Sequence, residues 1–131
     1  MTLPMDIRVA SEDAKVGFVF ARRGIVPEAA SSYFLPRIVG MGKSLEWCVT
    51  GRVFRAKDEE ASGLFNYVVP RDQVLPRAMA LAGEIAKYTS ATSVALSKAL
   101  LWGSMREGGA SPEAAHLADS KCIQWSRCDG A

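Results

Sequence analysis

The sequence predicts an α/β fold in which two or three short strands are followed by five or six helices. Short apolar runs separated by polar turns occupy the first part of the chain and recur just before Pro70. From residue 71 onward the apolar residues recur instead with helical spacing. Hydrophobic residues make up 49% and charged residues 23% of the 131 residues, a balance typical of a folded globular protein rather than a disordered one.

Composition excludes several classes of function. The chain carries 16 basic and 14 acidic residues, and a net charge of +2 is too small and too scattered for a nucleic-acid surface. The sequence has neither a run of eighteen apolar residues nor a charged-then-apolar leader, so no membrane partner is expected. Cys48, Cys122 and Cys128 form no CxxC pair, which favours free thiols over a metal site. These features predict a cytoplasmic protein without a metal.

Two strands are predicted near the start of the chain. The segment "DIRVASEDAKVGFVFA" has apolar residues at Ile7 and Val9, then a polar turn, then the apolar run from Val16 to Phe20. The second run is apolar on both faces, which is typical of a buried strand.

Helices are predicted where this strand pattern ends. Pro27 suits the first turn of a helix, where its missing N–H costs nothing. That helix continues through "AASSYFLPRIVG", with an interruption at Pro36 and an end at Gly40. A second helix is expected from Lys43 to Thr50, ended by a glycine.

From residue 52 to Pro70 the predicted elements alternate between strand and helix. "RVF", residues 52–54, is expected to form a brief strand, and "RAKDEEASG" a helix that ends at Gly63. "LFNYVVP" then predicts a strand that Pro70 terminates.

The remaining residues predict three helices. "DQVLPRAMALAGEIAKYT" and "SATSVALSKALLWGSM" carry apolar residues with helical spacing. "SPEAAHLADSKCIQWSRC" places Ser111 at an N-cap and Pro112 at the first helical position. We therefore divide the chain into a mixed segment, residues 1–70, and a helical segment, residues 71–131.

Four blocks of the sequence, in this order and spacing, resemble the second half of the crotonase superfamily, the enoyl-CoA hydratases and isomerases. They are "DIRVASEDA", "LPRIVG", "TGR" and "GLFNYVVP". The resemblance implies part of a ββα spiral followed by a helical trimerisation region. It also implies acyl-CoA thioester substrates, with coenzyme A present only as part of the substrate, and a trimer or a dimer of trimers at full length.

The resemblance also implies which parts of such an enzyme this sequence contains. Members of the superfamily hold the thioester oxygen with two backbone N–H groups, and these would lie before Met1, as would the first catalytic glutamate of the hydratases. The last helix would lie beyond Ala131. We therefore expect an internal fragment that is inactive by itself.

The candidate site centres on Glu28. At the position where hydratases carry their second acid, this sequence has Phe20, which cannot transfer a proton. The block "PEAASS" instead resembles the setting of the acid in peroxisomal-type enoyl-CoA isomerases, which implies Glu28 as the base. Phe18, Phe20 and Ile25 would wall the acyl pocket and raise the pKa of Glu28 by desolvation.

Each candidate has a structural alternative. Glu28 also fits an ordinary acid in a first helical turn, stabilised by the helix dipole. Ser31 and Ser32 could orient its carboxylate or be solvated, and Arg22 and Arg23 could contact the phosphates of CoA or be a solvated pair. The functional alternatives are an isomerase-leaning acyl-CoA enzyme and a non-catalytic fragment that retains only folding and oligomerisation surfaces.

Overall fold

The computed structural model describes residues 2–105 and 111–128, and the contacts within it define two compact units. The first unit extends to Ala80 and the second begins at Leu81. The strands are β1 (Val9–Ser11), β2 (Lys15–Gly17), β3 (Val53–Arg55) and β4 (Tyr67–Val69). The helices are α1 (Ser31–Val39), α2 (Met41–Thr50), α3 (Val74–Tyr88), α4 (Ala91–Ser104) and α5 (Pro112–Cys128). The predicted α/β class is confirmed, whereas a domain boundary at residue 70 remains a prediction.

The four strands form two separate pairs. β1 runs parallel to β4, and Ala10 lies opposite Val68. β2 runs antiparallel to β3, and Val16 lies opposite Phe54. Each pair brings together segments that the sequence separates by some forty residues or more, so the strands depend on packing rather than on local hairpins.

The core of the first unit is built around Trp47 on α2. This side chain is 1% exposed and contacts the rings of Phe18 and Phe54, with centroids 5.7 Å and 4.8 Å away. Leu35 on α1 is equally buried, and Leu64 closes the cluster from the segment before β4. The α1–α2 pair therefore packs against the β2–β3 pair and the segment before β4 through one apolar cluster.

The ends of α1 and α2 follow the glycines that predicted them. Gly40 separates the two helices at a φ of 83°, and Gly51 ends α2 at a φ of 57°. The predicted interruption at Pro36 is wrong, since α1 continues through it to Val39. The bond that Pro36 cannot donate would run to the carbonyl of Ser32, an exposed residue.

Three further expectations for this unit were wrong. The strand predicted for Val16 to Phe20 ends at Gly17, because β3 provides a partner only as far as Val53. The helix predicted over residues 55–63 is only a 3₁₀ turn, Glu59–Ala61. The helix predicted to begin at Pro27 begins at Ser31 instead.

The second unit is helical, as predicted. Ser90 caps α4 by accepting a hydrogen bond from the N–H of Ser93 at 3.4 Å, and Ser111 caps α5 through the N–H of Ala114 at 3.3 Å. α4 and α5 pack against each other. Within residues 2–105 and 111–128, none of the helices combines the length and apolar character that a membrane span requires.

Candidate functional site

A cavity of about 350 Å³ opens in the first unit, between segments that are far apart in the sequence. Its lining residues are Thr2, Leu3, Lys15, Val16, Gly17, Phe18, Phe20, Glu28, Ser31, Leu64 and Phe65. Three of the four predicted site residues, Phe18, Phe20 and Glu28, therefore meet at one cavity. Ile25 does not line it and is 51% exposed, because the chain between Gly24 and Glu28 forms no strand that would pack it.

Phe18 forms a rigid part of the cavity wall. Its ring is 9% exposed and lies nearly parallel to the indole of Trp47, with an interplanar angle of 7°. Phe20 is half-buried and packs against the same core cluster. The apolar side of the cavity is thus continuous with the core of the unit. Packing against that core fixes the shape of the cavity wall.

Glu28 lies in a tight turn that precedes α1. The N–H of Ser31 donates to the carbonyl oxygen of Glu28 at 3.0 Å, which closes the turn. Both central residues have positive φ, 50° at Ala29 and 57° at Ala30. That conformation defines a type I′ turn, which ordinarily carries Gly, Asn or Asp. No acid lies in the first turn of α1, so the interpretation of Glu28 as a first-turn helical residue is wrong.

Ser31 makes a second hydrogen bond to the same carbonyl. Its Oγ donates to the backbone oxygen of Glu28 at 2.6 Å, and the residue is 3% exposed. The sequence left open whether Ser31 orients the carboxylate of Glu28 or is solvated, whereas its hydroxyl donates to the backbone carbonyl of Glu28 instead. Ser32 is exposed.

Glu28 is the only acidic residue that lines the cavity among the residues the structure describes. Its side chain is exposed in this chain, so the desolvation expected from the sequence is not provided by residues 2–105 and 111–128. Lys15 is the other charged residue at the cavity, and it is also exposed. Sequence reasoning missed Lys15 because its polar neighbours suggested a turn, whereas pairing with Arg55 makes it part of β2.

Arg8 fixes the wall formed by Leu64 and Phe65. Its Nε donates to the carbonyl of Leu64 at 2.7 Å, and its Nη1 donates to the carbonyl of Met5 at 2.7 Å. Its backbone N–H also donates to Oδ1 of Asn66 at 2.8 Å. Partial burial lowers the pKa of the Arg8 guanidinium. Sequence reasoning missed these contacts, because Leu64 and Asn66 lie more than fifty residues from Arg8.

The remaining polar candidates have structural roles. Arg22 donates from Nε to the carbonyl of Thr50 at 2.8 Å and so caps the C-terminal end of α2. Cys48 and Cys122 are free thiols, and burial raises the pKa of the Cys48 thiol, which disfavours the reactive thiolate. The side chain of Cys128 lies outside the described residues. In the described part of the chain, no cluster of His, Cys, Asp and Glu is arranged to hold a metal.

Solved structures share this arrangement of helices and short strands. A probable enoyl-CoA hydratase/isomerase from Mycobacterium abscessus superposes with a TM-score of 0.88 at 31% identity, over 98% of this chain and 49% of the other. An enoyl-CoA hydratase from Bacillus anthracis superposes with a TM-score of 0.85 at 26% identity, over 94% of this chain and 46% of the other. The fold is therefore that of the crotonase class, as the sequence predicted.

Sequence comparison identifies the family. Residues 1–116 match the family described as enoyl-CoA hydratase/isomerase. The enoyl-CoA hydratase ACTT3 of Alternaria alternata is 46% identical over 124 residues, which are 94% of this chain and 40% of the relative. The chain belongs to the enoyl-CoA hydratase/isomerase family. It spans about two fifths of the length of this curated relative.

Proposed function

We propose that the protein carrying this sequence acts on acyl-CoA thioesters and favours isomerisation of 3-enoyl to 2-enoyl thioesters, with Glu28 as the base. The proposal is supported chiefly by the cavity, which combines one carboxylate with the rings of Phe18 and Phe20. Isomerisation needs one group that removes a proton and returns it, whereas the acyl chain needs an apolar wall. Membership of the enoyl-CoA hydratase/isomerase family favours this substrate class.

The proposed reaction moves one proton and one double bond. The Glu28 carboxylate removes a proton from C2, and the electron pair of that C–H bond forms an enolate on the thioester oxygen. The protonated Glu28 then returns the proton to C4, and the double bond moves from C3–C4 to C2–C3. The resemblance assigns the two backbone N–H donors that stabilise the enolate to segments outside this sequence. No cofactor is required, because coenzyme A enters as part of the substrate.

Burial of the carboxylate is a condition of this mechanism. A base with an ordinary carboxyl pKa is weak, and removal of water raises that pKa toward the working pH. Glu28 is exposed in the described chain, so a bound acyl group or further protein would have to cover it. We expect the acyl chain to lie against Phe18 and Phe20 and to exclude water from the carboxylate.

Hydration of 2-enoyl thioesters is the second candidate. Several curated relatives that match this chain are named as enoyl-CoA hydratases, which favours it. Two-carboxylate hydration needs a second acid near the first, however, and the position that the resemblance assigns to it carries Phe20. Isomerisation is therefore the better match to the side chains at the cavity.

Substitution of Glu28 by Gln tests the proposal in the natural protein at its full length. The amide keeps the shape of the side chain but cannot accept a proton, so isomerisation of a 3-enoyl-CoA should be lost while affinity and melting temperature change little. Glu12→Gln is the matched control, because Glu12 is an exposed glutamate of the same unit that does not line this cavity. The 2-enoyl-CoA substrate is assayed beside the 3-enoyl-CoA.

Each outcome has a defined meaning. Loss of isomerisation only in Glu28→Gln supports the proposal. Hydration without isomerisation would favour the hydratase. Wild-type protein that turns over neither substrate would favour the alternative of a non-catalytic fragment that retains folding and oligomerisation surfaces.

We also propose that the protein self-associates and works in the cytoplasm. Leu117 and Trp125 on α5 are 56% and 54% exposed, and Leu101 on α4 is 69% exposed, which favours burial in an assembly such as a trimer. The free thiols Cys48 and Cys122 favour a reducing compartment. Sedimentation at several concentrations and cell fractionation test the two statements separately.

A further inference from the structure

We propose that Ser31 is a positioning residue that holds Glu28 at the cavity by locking the turn between them. The inference rests on the proposed function, since it assigns to Glu28 a task that depends on its placement. It is carried by the two hydrogen bonds that Ser31 makes to the carbonyl of Glu28, by the burial of Ser31, and by the presence of both residues at the same cavity.

The local sequence favours a different conformation. Pro27 is suited to the first position of a helix, and Ala29 and Ala30 are the best helix formers among the amino acids. The structure nevertheless holds both alanines at positive φ, a region that residues with a Cβ rarely occupy. Without an opposing interaction, this segment would relax into an extra turn at the beginning of α1.

Ser31 supplies the opposing interaction. A helical extension would leave the Glu28 carbonyl to accept a bond from residue 32, whereas the turn directs it to the backbone N–H and the hydroxyl of Ser31, at 3.0 Å and 2.6 Å. Ser31 is 3% exposed, so water cannot readily replace the hydroxyl. The side chain of Ser31 therefore favours the turn over the helix.

The choice between turn and helix decides where the carboxylate points. Each residue added to a helix rotates the next side chain by about 100° around the axis, so an extension through Glu28 would change the position of its carboxylate relative to Phe18 and Phe20. The hydroxyl of Ser31 is already donated to the backbone, which leaves it without a proton to give to substrate. Ser31 thus acts through Glu28 and not on the reacting atoms.

A matched control exists in the same unit. Ser44 is also buried, at 5% exposure, and its Oγ donates to the carbonyl of Gly40 at 2.7 Å. Ser44 does not line the cavity. Ser31→Ala and Ser44→Ala therefore remove equivalent hydrogen bonds, and only the first touches the Glu28 turn.

The experiment compares these variants in the natural full-length protein with 3-enoyl-CoA as substrate. We expect both to lower the melting temperature by similar amounts, while Ser31→Ala alone lowers kcat by about 10- to 100-fold with little change in KM. Added to Glu28→Gln, Ser31→Ala should produce no further loss. Glycine at both Ala29 and Ala30 should restore much of kcat to Ser31→Ala, because glycine adopts positive φ without help from the Ser31 hydroxyl.

The outcomes separate this inference from the proposed function. If Glu28→Gln keeps normal turnover, the proposed function fails and the positioning role fails with it. If Glu28→Gln is inactive but Ser31→Ala and Ser44→Ala have the same kcat, only the positioning role is overturned. Should Ser31→Ala not fold, Ala30→Val provides a second test, because it disturbs the turn and leaves the Ser31 hydroxyl in place. An unchanged kcat in Ala30→Val would overturn the inference.

Discussion

Replacement of Ala30 by glycine should stabilise the protein, although glycine is ordinarily the poorer choice. Ala30 has a φ of 57° and a ψ of 20°, and a residue with a Cβ in that region costs about 1–2 kcal/mol. Glycine removes that cost but adds about 0.4–1 kcal/mol of chain entropy to the unfolded state. The difference predicts a gain of about 0.5–1 kcal/mol in the free energy of unfolding.

Two further variants show whether the sign of this change in the free energy of unfolding reflects the backbone conformation at Ala30. Ala30→Val places a β-branched residue at positive φ and should cost at least about 1 kcal/mol. Ala80→Gly, at an exposed position inside α3, should cost about 1 kcal/mol, as glycine does in an ordinary helix. In a helix glycine is worse than valine, whereas in this turn glycine is better, so the order of the two Ala30 variants identifies the backbone conformation.

Urea unfolding of the full-length protein measures these differences. Fluorescence can follow the transition because Trp47 is buried in the core of the unit that contains the turn. With the urea dependence typical of small proteins, the Ala30→Gly midpoint should rise by a few tenths molar. An Ala30→Gly midpoint that falls as far as that of Ala80→Gly, and below that of Ala30→Val, would refute the left-handed turn.

Two other predictions concern polar side chains away from the turn. Arg8→Lys should lower the free energy of unfolding by about 1–2 kcal/mol, because a single ammonium cannot reproduce the paired donation to two carbonyls; an unchanged urea midpoint would contradict this. The Ser111 hydroxyl holds the pKa of Glu113 below its usual range. That contribution to stability is present above the unfolded carboxyl pKa of about 4.3 and is lost as pH falls through the lower folded value. An NMR titration should show the Glu113 pKa rising in Ser111→Ala, and no rise would exclude the hydroxyl as the cause.

Much of the fold follows from local signals in the sequence. Gly40 and Gly51 end their segments because each adopts positive φ, and Ser111 begins α5 because its hydroxyl satisfies a free N–H. Family resemblance also led to Glu28, Phe18 and Phe20, which the structure brings to one cavity. These features depend on residues close in sequence or on a pattern of spaced blocks.

The errors arose where particular contacts override the preference of the local sequence. Pro27 and the alanines after Glu28 favour a helix, but the buried hydroxyl of Ser31 stabilises a turn instead. Ile25 lies beyond the apolar run that begins in β2, in a segment without regular secondary structure, and it is exposed. No local pattern could show that Arg8 would bind the carbonyl of Leu64.

The parallel pairing of β1 with β4 has a consequence for the order of folding. Val9 lies opposite Tyr67, so this contact must close a loop of nearly sixty residues, whereas α1 and α2 pack across the single residue Gly40. We therefore expect local helix packing to precede the long-range pairing. The cavity needs the wall at Leu64 and Phe65 beside the first strands of the sequence. A molecule in which only α1 and α2 have formed therefore still lacks its site. The capacity to bind substrate should thus appear in the last kinetic phase of refolding, after most of the helical signal has returned.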